Sequence, residues 1–199
     1  LGPTAVGKTE ISIEVAKLIK GEIISADSRL LYRGMEIGTA KPSIFERKEV
    51  VHHLIDVIDP DEEWSIADFL RAAKKAIIDV NSRGSKPILV GGTGQYIRAI
   101  VEGWRIPRVA PNPQLRKALW KWAINLTPEG LHARLNRLDP QAAKQINPRN
   151  VRRTIRALEV IFSSGEKYSR LRKNEASEYK PLLLGLTRPR EELYGRVDH

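Results

Sequence analysis

The chain has 199 residues, 41% of them hydrophobic, with 34 Lys and Arg against 24 Asp and Glu, a formal charge of +10 and no Cys. That length and apolar fraction support a packed core in one or two domains and argue against a disordered tail. No apolar run approaches the ~18–20 residues of a membrane span, no signal peptide is visible, and a chain without Cys has no disulfide scaffold, thiolate zinc site or thiol catalysis. The expectation is a soluble, basic, cytoplasmic protein.

Leu1-Gly2-Pro3-Thr4-Ala5-Val6-Gly7-Lys8-Thr9 opens the chain, and Ile11, Val15, Leu18 and Ile19 follow at helical spacing until Gly21 stops the helix. Glu22 to Ala26 reads as a short buried strand ending at Asp27. A second helix spans about Ser65 to Asn81 with Ile66, Phe69, Leu70, Ala73, Ile77 and Val80 on one face, and Ser65 with Asp68 forms a variant capping box. Pro87 to Val90 is another buried strand, running into Gly91-Gly92-Thr93-Gly94 and a further helix. Strand–helix alternation of this kind predicts a parallel α/β sheet.

After Gly103 the texture changes. Residues 104–113 hold three prolines and read as a linker, the segments beyond look helical, and Pro181 to Leu186 returns to an apolar strand pattern. The expected arrangement is an α/β core, 1–103 and 181–199, interrupted by a mainly helical insertion at 104–180. Both ends look cut: no strand precedes Gly2, and the final helix stops mid-pattern at His199. From Trp104 to Lys180 there are 17 basic and 6 acidic residues, a net of +11, so this stretch carries the whole excess charge. Such a stretch is either a solvated helical face or an attractor of a polyanion, most often nucleic acid.

Gly2-x4-Gly7-Lys8-Thr9 opening a helix is the phosphate-loop pattern. Glycines let backbone N–H groups face phosphates, Lys8 neutralises terminal oxygens, and the Thr9 hydroxyl completes the shell of a Mg²⁺ ion. The loop alone specifies only a diphosphate or triphosphate ligand, and the base-reading Asn-Lys-x-Asp motif of GTPases is absent. Asp27-Ser28 ends the next strand, where open α/β sheets bind ligands. A carboxylate there serves as a turn cap, a water-mediated metal contact or a general base. The long polar loop after it favours function. His52 and His53 have no metal-ligand partners at suitable spacing and read as packing or hydrogen-bonding residues.

These segments together resemble the tRNA dimethylallyltransferase (tRNA isopentenyltransferase, IPP transferase) family. The matching residues are 2–9, Asp27-Ser28 with Tyr32-Arg33-Gly34, 38–42, 52–56 with Asp59-Pro60, and Gly91-Gly92-Thr93-Gly94-x-Tyr96. They continue through Arg156-Ala157-Leu158-Glu159-Val160 and Leu186-x3-Arg190-x2-Leu193-x2-Arg196, in order across nearly the whole chain. The resemblance implies a P-loop NTPase-like core and transfer of a dimethylallyl group from its diphosphate to the exocyclic amine of the adenosine 3′ of the anticodon in tRNA. It implies that Gly2, Pro3, Thr4, Ala5, Val6, Gly7, Lys8 and Thr9 bind the diphosphate, with Mg²⁺ on Thr9. It further implies that Asp27 is the base, with Lys8, Thr9, Arg190 and Arg196 also catalytic. The tRNA-contacting positions it implies are Asp27, Ser28, Arg29, Leu30, Thr93, Arg152, Arg153, Thr154, Ile155 and Arg156. Leu30 departs from the Gln of many members.

Arg149, Arg152, Arg153 and Arg156 follow i, i+3, i+4, i+7 spacing on one helix face, with Val151, Ile155, Leu158 and Phe162 opposite. Arg116, which opens the insertion, is a further phosphate-contact candidate. The anticodon stem-loop of tRNA is the expected partner, and a monomer the expected state. The rival readings are a small-molecule P-loop kinase, an adenylate isopentenyltransferase making cytokinins from a free nucleotide, and a non-catalytic RNA-binding domain. The net +11 of the insertion favours a long polyanion over AMP, and an RNA-binding module leaves Lys8, Thr9 and Asp27 without a role.

Overall fold

The computed structural model describes residues 1–172 and 177–197; the expectations for residues 173–176 of the insertion and for His199 lie outside the described residues. The chain divides into two compact units, Leu1–Gly103 with Ser177–His199, and Trp104–Ala176.

In the first unit, α1 (Lys8–Ile19) leads through Lys20 into β1 (Gly21–Ser25). Lys20, not Gly21, ends the helix, in the left-handed conformation. Gly21 belongs to the strand, where a Cβ would stand 2.7 Å from the Ile88 side chain. The stripe of Ile11, Leu18 and Ile19 remains exposed, because α1 buries Ser12, Ile13 and Ala16 instead. The short side chains of Ser12 and Ala16 let the helix sit close to the sheet, where Ile13 and Ala16 pack with Ile23 and Val50.

Beyond β1 come α2 (Ile44–Glu49), β2 (His52–His53), α3 (Ile66–Ser82), β3 (Lys86–Val90) and α4 (Gly94–Val101). The sheet is parallel with order β2-β1-β3, and Ile23 pairs with both His52 and Ile88. Central β1 is buried from Glu22 to Ser25. β3 is only half-buried, a correction to the expected buried strand: it forms one edge of the described sheet, which suits Pro87 and leaves one side open. The capping box of α3 is present, with Ser65 and Asp68 bonded reciprocally. Phe69, Leu70, Ala73, Ile77 and Val80 are buried as the periodicity predicts.

Residues 181–186 form no strand, contrary to expectation. Among the described residues, Leu1 makes the backbone bonds to them: its terminal amine donates to the Leu184 carbonyl at 2.7 Å and its carbonyl accepts from Leu186 N–H at 2.7 Å. Two bonds do not make a ladder, and Leu182, Leu183 and Leu184 stay exposed. The unit closes with α9 (Arg190–Val197).

The second unit holds α5 (Pro113–Leu138), α6 (Pro140–Gln145), α7 (Val151–Ser164) and α8 (Tyr168–Leu171). α5 breaks at Thr127, whose φ of 66° precedes Pro128, a residue with no N–H to continue the helix. Leu119, Leu131, Leu135, Ile146, Ile155 and Leu158 make its core. Asp139 is buried at the junction of α5 and α6, accepting from Ala142 N–H and from the N–H and hydroxyl of Ser169. Burial works to raise its pKa, but these bonds hold it below the usual carboxylate range. Phe162 is half-exposed and not on the core side as expected; its ring meets Trp122 edge-on at 6.3 Å. No helix among the described residues is long and apolar enough to cross a membrane.

Candidate active site at the phosphate loop

A 12-residue helix rises ~18 Å and a five-residue strand ~17 Å, so α1 followed by β1 brings Gly7 and Asp27 back to the same end of the unit. β3 runs parallel to β1 and delivers Gly91-Gly92-Thr93 to that end as well.

The loop is shaped by its backbone. Ala5 (φ 62°) and Gly7 (φ 94°) are both left-handed, which turns consecutive N–H groups toward one side, an anion-binding concavity. Gly2 is required by close approach, since a Cβ there would stand 2.8 Å from the Leu186 carbonyl oxygen. Gly7 caps α1 without a side-chain bond, so the first-turn N–H groups keep no internal acceptor. Lys8 folds back over the loop, donating to the carbonyls of Gly2 at 3.1 Å and Pro3 at 2.7 Å. Pro3 and Thr4 are exposed, Val6 is buried beneath the loop, and the Thr9 hydroxyl makes no hydrogen bond to a described residue.

Asp27 is fixed by two backbone donors: Arg29 N–H to Oδ1 at 3.0 Å and Gly92 N–H to Oδ2 at 3.2 Å. Beside it the Thr93 hydroxyl accepts from Ser28 N–H at 2.9 Å and lies 3.2 Å from the Ser28 hydroxyl. Thr93 N–H donates to the Ala26 carbonyl at 3.0 Å. The structure therefore brings Asp27, Ser28 and Thr93 into one network. Arg29 is exposed, and Leu30 is half-buried with its carbonyl accepting Asp56 N–H.

Of the two C-terminal arginines, Arg196 lies near the loop, donating to Glu10 Oε1 at 3.0 Å. Arg190, the first residue of α9, is exposed, and its side chain hydrogen-bonds no described residue. Sequence reasoning missed Arg188, whose Nε donates to the Val6 carbonyl at 3.0 Å. The one available signal was a third basic residue two positions before Arg190.

His53 and His52 both make hydrogen bonds within the fold. His53 Nε2 lies 2.7 Å from Glu22 Oε2, and Arg83 donates to both oxygens of that buried carboxylate. The Arg83 guanidinium above all holds the Glu22 pKa down, to about 2. His52 Nδ1 meets the Val50 carbonyl, and burial lowers its pKa. No group of three His, Cys, Asp or Glu side chains able to hold a metal exists among the described residues.

In the second unit, the arginines of α7 divide. Arg152 and Arg153 are exposed and form no ion pair with a described residue, and Arg149 precedes the helix, also exposed. Arg156 and Arg116 are engaged with Glu159, which has no exposed surface. Arg116 grips it with Nε–Oε1 at 2.8 Å and Nη2–Oε2 at 3.0 Å, while Arg156 Nη1 lies 2.6 Å from Oε2. Burial pushes the Glu159 pKa up, but Arg116, Asn112 N–H and Arg156 bring it below the usual value. The expected single basic face is thus corrected: Arg149, Arg152 and Arg153 are exposed, whereas Arg156, together with Arg116, neutralises a buried charge. Thr154 and Ile155 are buried, Thr154 bonding back to the Asn150 carbonyl, so their side chains do not face outward.

A left-handed glycine loop opening a helix, on a parallel sheet with a carboxylate at the adjoining strand end, defines a P-loop-like α/β protein. The IPP transferase family model matches residues 30–199. A tRNA dimethylallyltransferase of Chloroflexus aggregans is 54% identical over 198 residues, covering all of this chain and 67% of its own length. The full-length tRNA isopentenylpyrophosphate transferase of Bacillus halodurans has a similar structure, with a TM-score of 0.63 and 42% identity over 99% of this chain and 61% of its own. A eukaryotic dimethylallyltransferase described as acting on tRNA reaches a TM-score of 0.84 at 30% identity, over 99% of this chain and 49% of its own. The chain belongs to the IPP transferase family. It spans about two thirds of the length of the curated relative and 49–61% of the two solved chains.

Proposed function

We propose that the protein transfers a dimethylallyl group from dimethylallyl diphosphate to the N6 amine of the adenosine 3′-adjacent to the anticodon in tRNA, releasing diphosphate. The observation that carries this reading is the Asp27 carboxylate, held by two backbone N–H groups at the same end of the sheet as the phosphate loop. The relatives named for dimethylallyl transfer to tRNA support the acceptor.

In this reading the N6 lone pair attacks the allylic carbon bonded to oxygen. The C–O bond breaks, its electron pair leaves on the diphosphate, and Asp27 takes the proton from nitrogen. A neutral aromatic amine is a weak nucleophile, so a fixed carboxylate within hydrogen-bond reach contributes ~10²–10⁴ in rate. Lys8, the loop N–H groups and the arginines of the C-terminal segment oppose the charge that develops on the leaving oxygen. Mg²⁺ fits the donor set: a Thr9 hydroxyl without a hydrogen-bond partner, and no cage of carboxylates among the described residues, suit an ion that takes most of its ligands from phosphates and water. It would supply further neutralisation of the diphosphate.

The target adenine must leave the stacked loop, at a cost of a few kcal/mol that phosphate contacts elsewhere offset. Arg152 and Arg153, exposed and unengaged, are the best candidates among the described residues for those contacts. Arg116 and Arg156 support the same surface by neutralising Glu159. We read the protein as a cytoplasmic monomer.

Incubation with labelled dimethylallyl diphosphate and either total tRNA or AMP tests the proposal. Label in tRNA is expected. Label in AMP alone would establish adenylate isopentenyl transfer, and ATP hydrolysis with neither acceptor labelled would establish a kinase-type enzyme.

A further inference from the structure

Arg188, itself half-buried, stands on the mostly exposed segment just before α9, and its three nitrogens have different fates. Nε donates to the Val6 carbonyl of the phosphate loop at 3.0 Å, and Nη1 pairs with Glu192 Oε2 at 3.1 Å. Nη2 donates to no described residue. It lies 3.8 Å from where a Cβ on Gly7 would stand, beside the uncapped first turn of α1. Arg196 approaches the same point from its own carboxylate partner: its Nη2 is 4.0 Å from that position and 3.0 Å from Glu10 Oε1.

A guanidinium is a rigid planar fork, so fixing two of its nitrogens also fixes the direction of the third. Here the third offers its N–H groups at the loop position where backbone donors converge. Lys8, by contrast, has its ammonium on the Gly2 and Pro3 carbonyls and must give up those bonds to meet an anion. Glu192 and Glu10 keep the two cations in place before any anion arrives, which lowers the ordering cost of binding.

We propose that Arg188 is a further ligand of the diphosphate: its Nη2 donates to an oxygen of the anion seated at Gly7–Thr9, while the Val6 carbonyl and the Glu192 carboxylate hold its fork. The inference rests on the diphosphate-dependent reading above and adds a residue to it. Arg188 serves the leaving group, so its contribution falls on donor affinity and not on tRNA.

Titration calorimetry of the chain with inorganic pyrophosphate and with dimethylallyl diphosphate tests this, using wild type, Arg188→Gln and Arg188→Lys, alongside melting curves without ligand. Arg188→Gln is expected to weaken pyrophosphate binding at least tenfold with the ligand-free melting temperature within about 2 °C of wild type. Arg188→Lys is expected to recover part of the loss, because the charge returns without the fork. Should Arg188→Gln melt below the assay temperature, Arg188→Lys decides, with a loss of at least threefold expected. Binding within twofold of wild type in Arg188→Gln, or in Arg188→Lys where that variant decides, would overturn the inference and leave Arg188 as a strap on Val6. Wild type that binds neither pyrophosphate nor dimethylallyl diphosphate would overturn the prenyl-transfer reading itself, and this inference with it.

Discussion

Asp27 Oδ2 accepts the N–H of Gly92 at 3.2 Å, and a Cβ at Gly92 would stand 2.8 Å from that same oxygen. The bond exists because residue 92 has no side chain. Gly91, next to it, faces the backbone: a Cβ there would overlap the Ala26 carbonyl group.

The two glycines should therefore fail differently. Gly92→Ala pushes the Asp27 carboxylate out of place, and turnover is expected to fall about tenfold or more with the fold intact, since near 1 Å misplacements cost up to ~10² in rate. Gly91→Ala clashes with rigid backbone and should lower stability by ~2–3 kcal/mol, in the range of overpacked sites. Circular dichroism melts and steady-state transfer assays on both variants separate the effects. Equal melting temperatures would contradict this assignment.

The arginines around α7 also separate. Arg156→Gln leaves Glu159 buried with one cation fewer, and the second unit should lose on the order of 3 kcal/mol, as expected when one partner of a buried pair is removed. Arg152 and Arg153 replaced together by Gln should not move the melting curve, because both are exposed and Gln is nearly as good a helix former. That double variant should bind tRNA more weakly and flatten log affinity against log salt by ~1.4–1.8, about 0.7–0.9 per lost phosphate contact. An unchanged slope in a folded double variant would assign the charge to a solvated face.

Glu22 predicts an acid limit. Its folded pKa of about 2 lies below its ordinary value of 4.5, so the folded state favours the charged form. The stabilisation is complete above pH 4.5 and is lost as pH falls through the folded value, because the unfolded chain takes up the proton first. Wild type should lose stability between pH 4.5 and about 2 more steeply than Glu22→Gln, which should be less stable at pH 7 and less sensitive to acid. Parallel stability curves for the two would show that Glu22 does not carry this dependence.

Local chemistry was readable where one residue type has one physical use. Gly7-Lys8-Thr9 opening a helix, Ser65 capping through Asp68, and Asp27 at a strand end all follow from backbone rules, and each takes that place in the structure. What escaped depends on partners distant in sequence. Arg188 is one of three basic residues within nine, and only the Val6 carbonyl, 182 positions away, singles it out. Arg156 carries the spacing of a surface stripe, yet it turns to Glu159, and the clue was a charge set between Leu158 and Val160 on the buried face. Leu182 to Leu184 have the composition of a strand, but strand pairing needs a neighbouring strand, and among the described residues they have only the two backbone bonds from Leu1 to Leu184 and Leu186.

The most direct test of the account is single-turnover transfer by Asp27→Asn with saturating dimethylallyl diphosphate and tRNA. Asn keeps the size of the side chain and one oxygen for a backbone N–H but cannot take the proton. Affinities for both substrates are expected within severalfold of wild type, with the rate of the bound complex lower by ~10²–10⁴. Weakened tRNA binding with a normal rate once bound would contradict it and make Asp27 a binding residue.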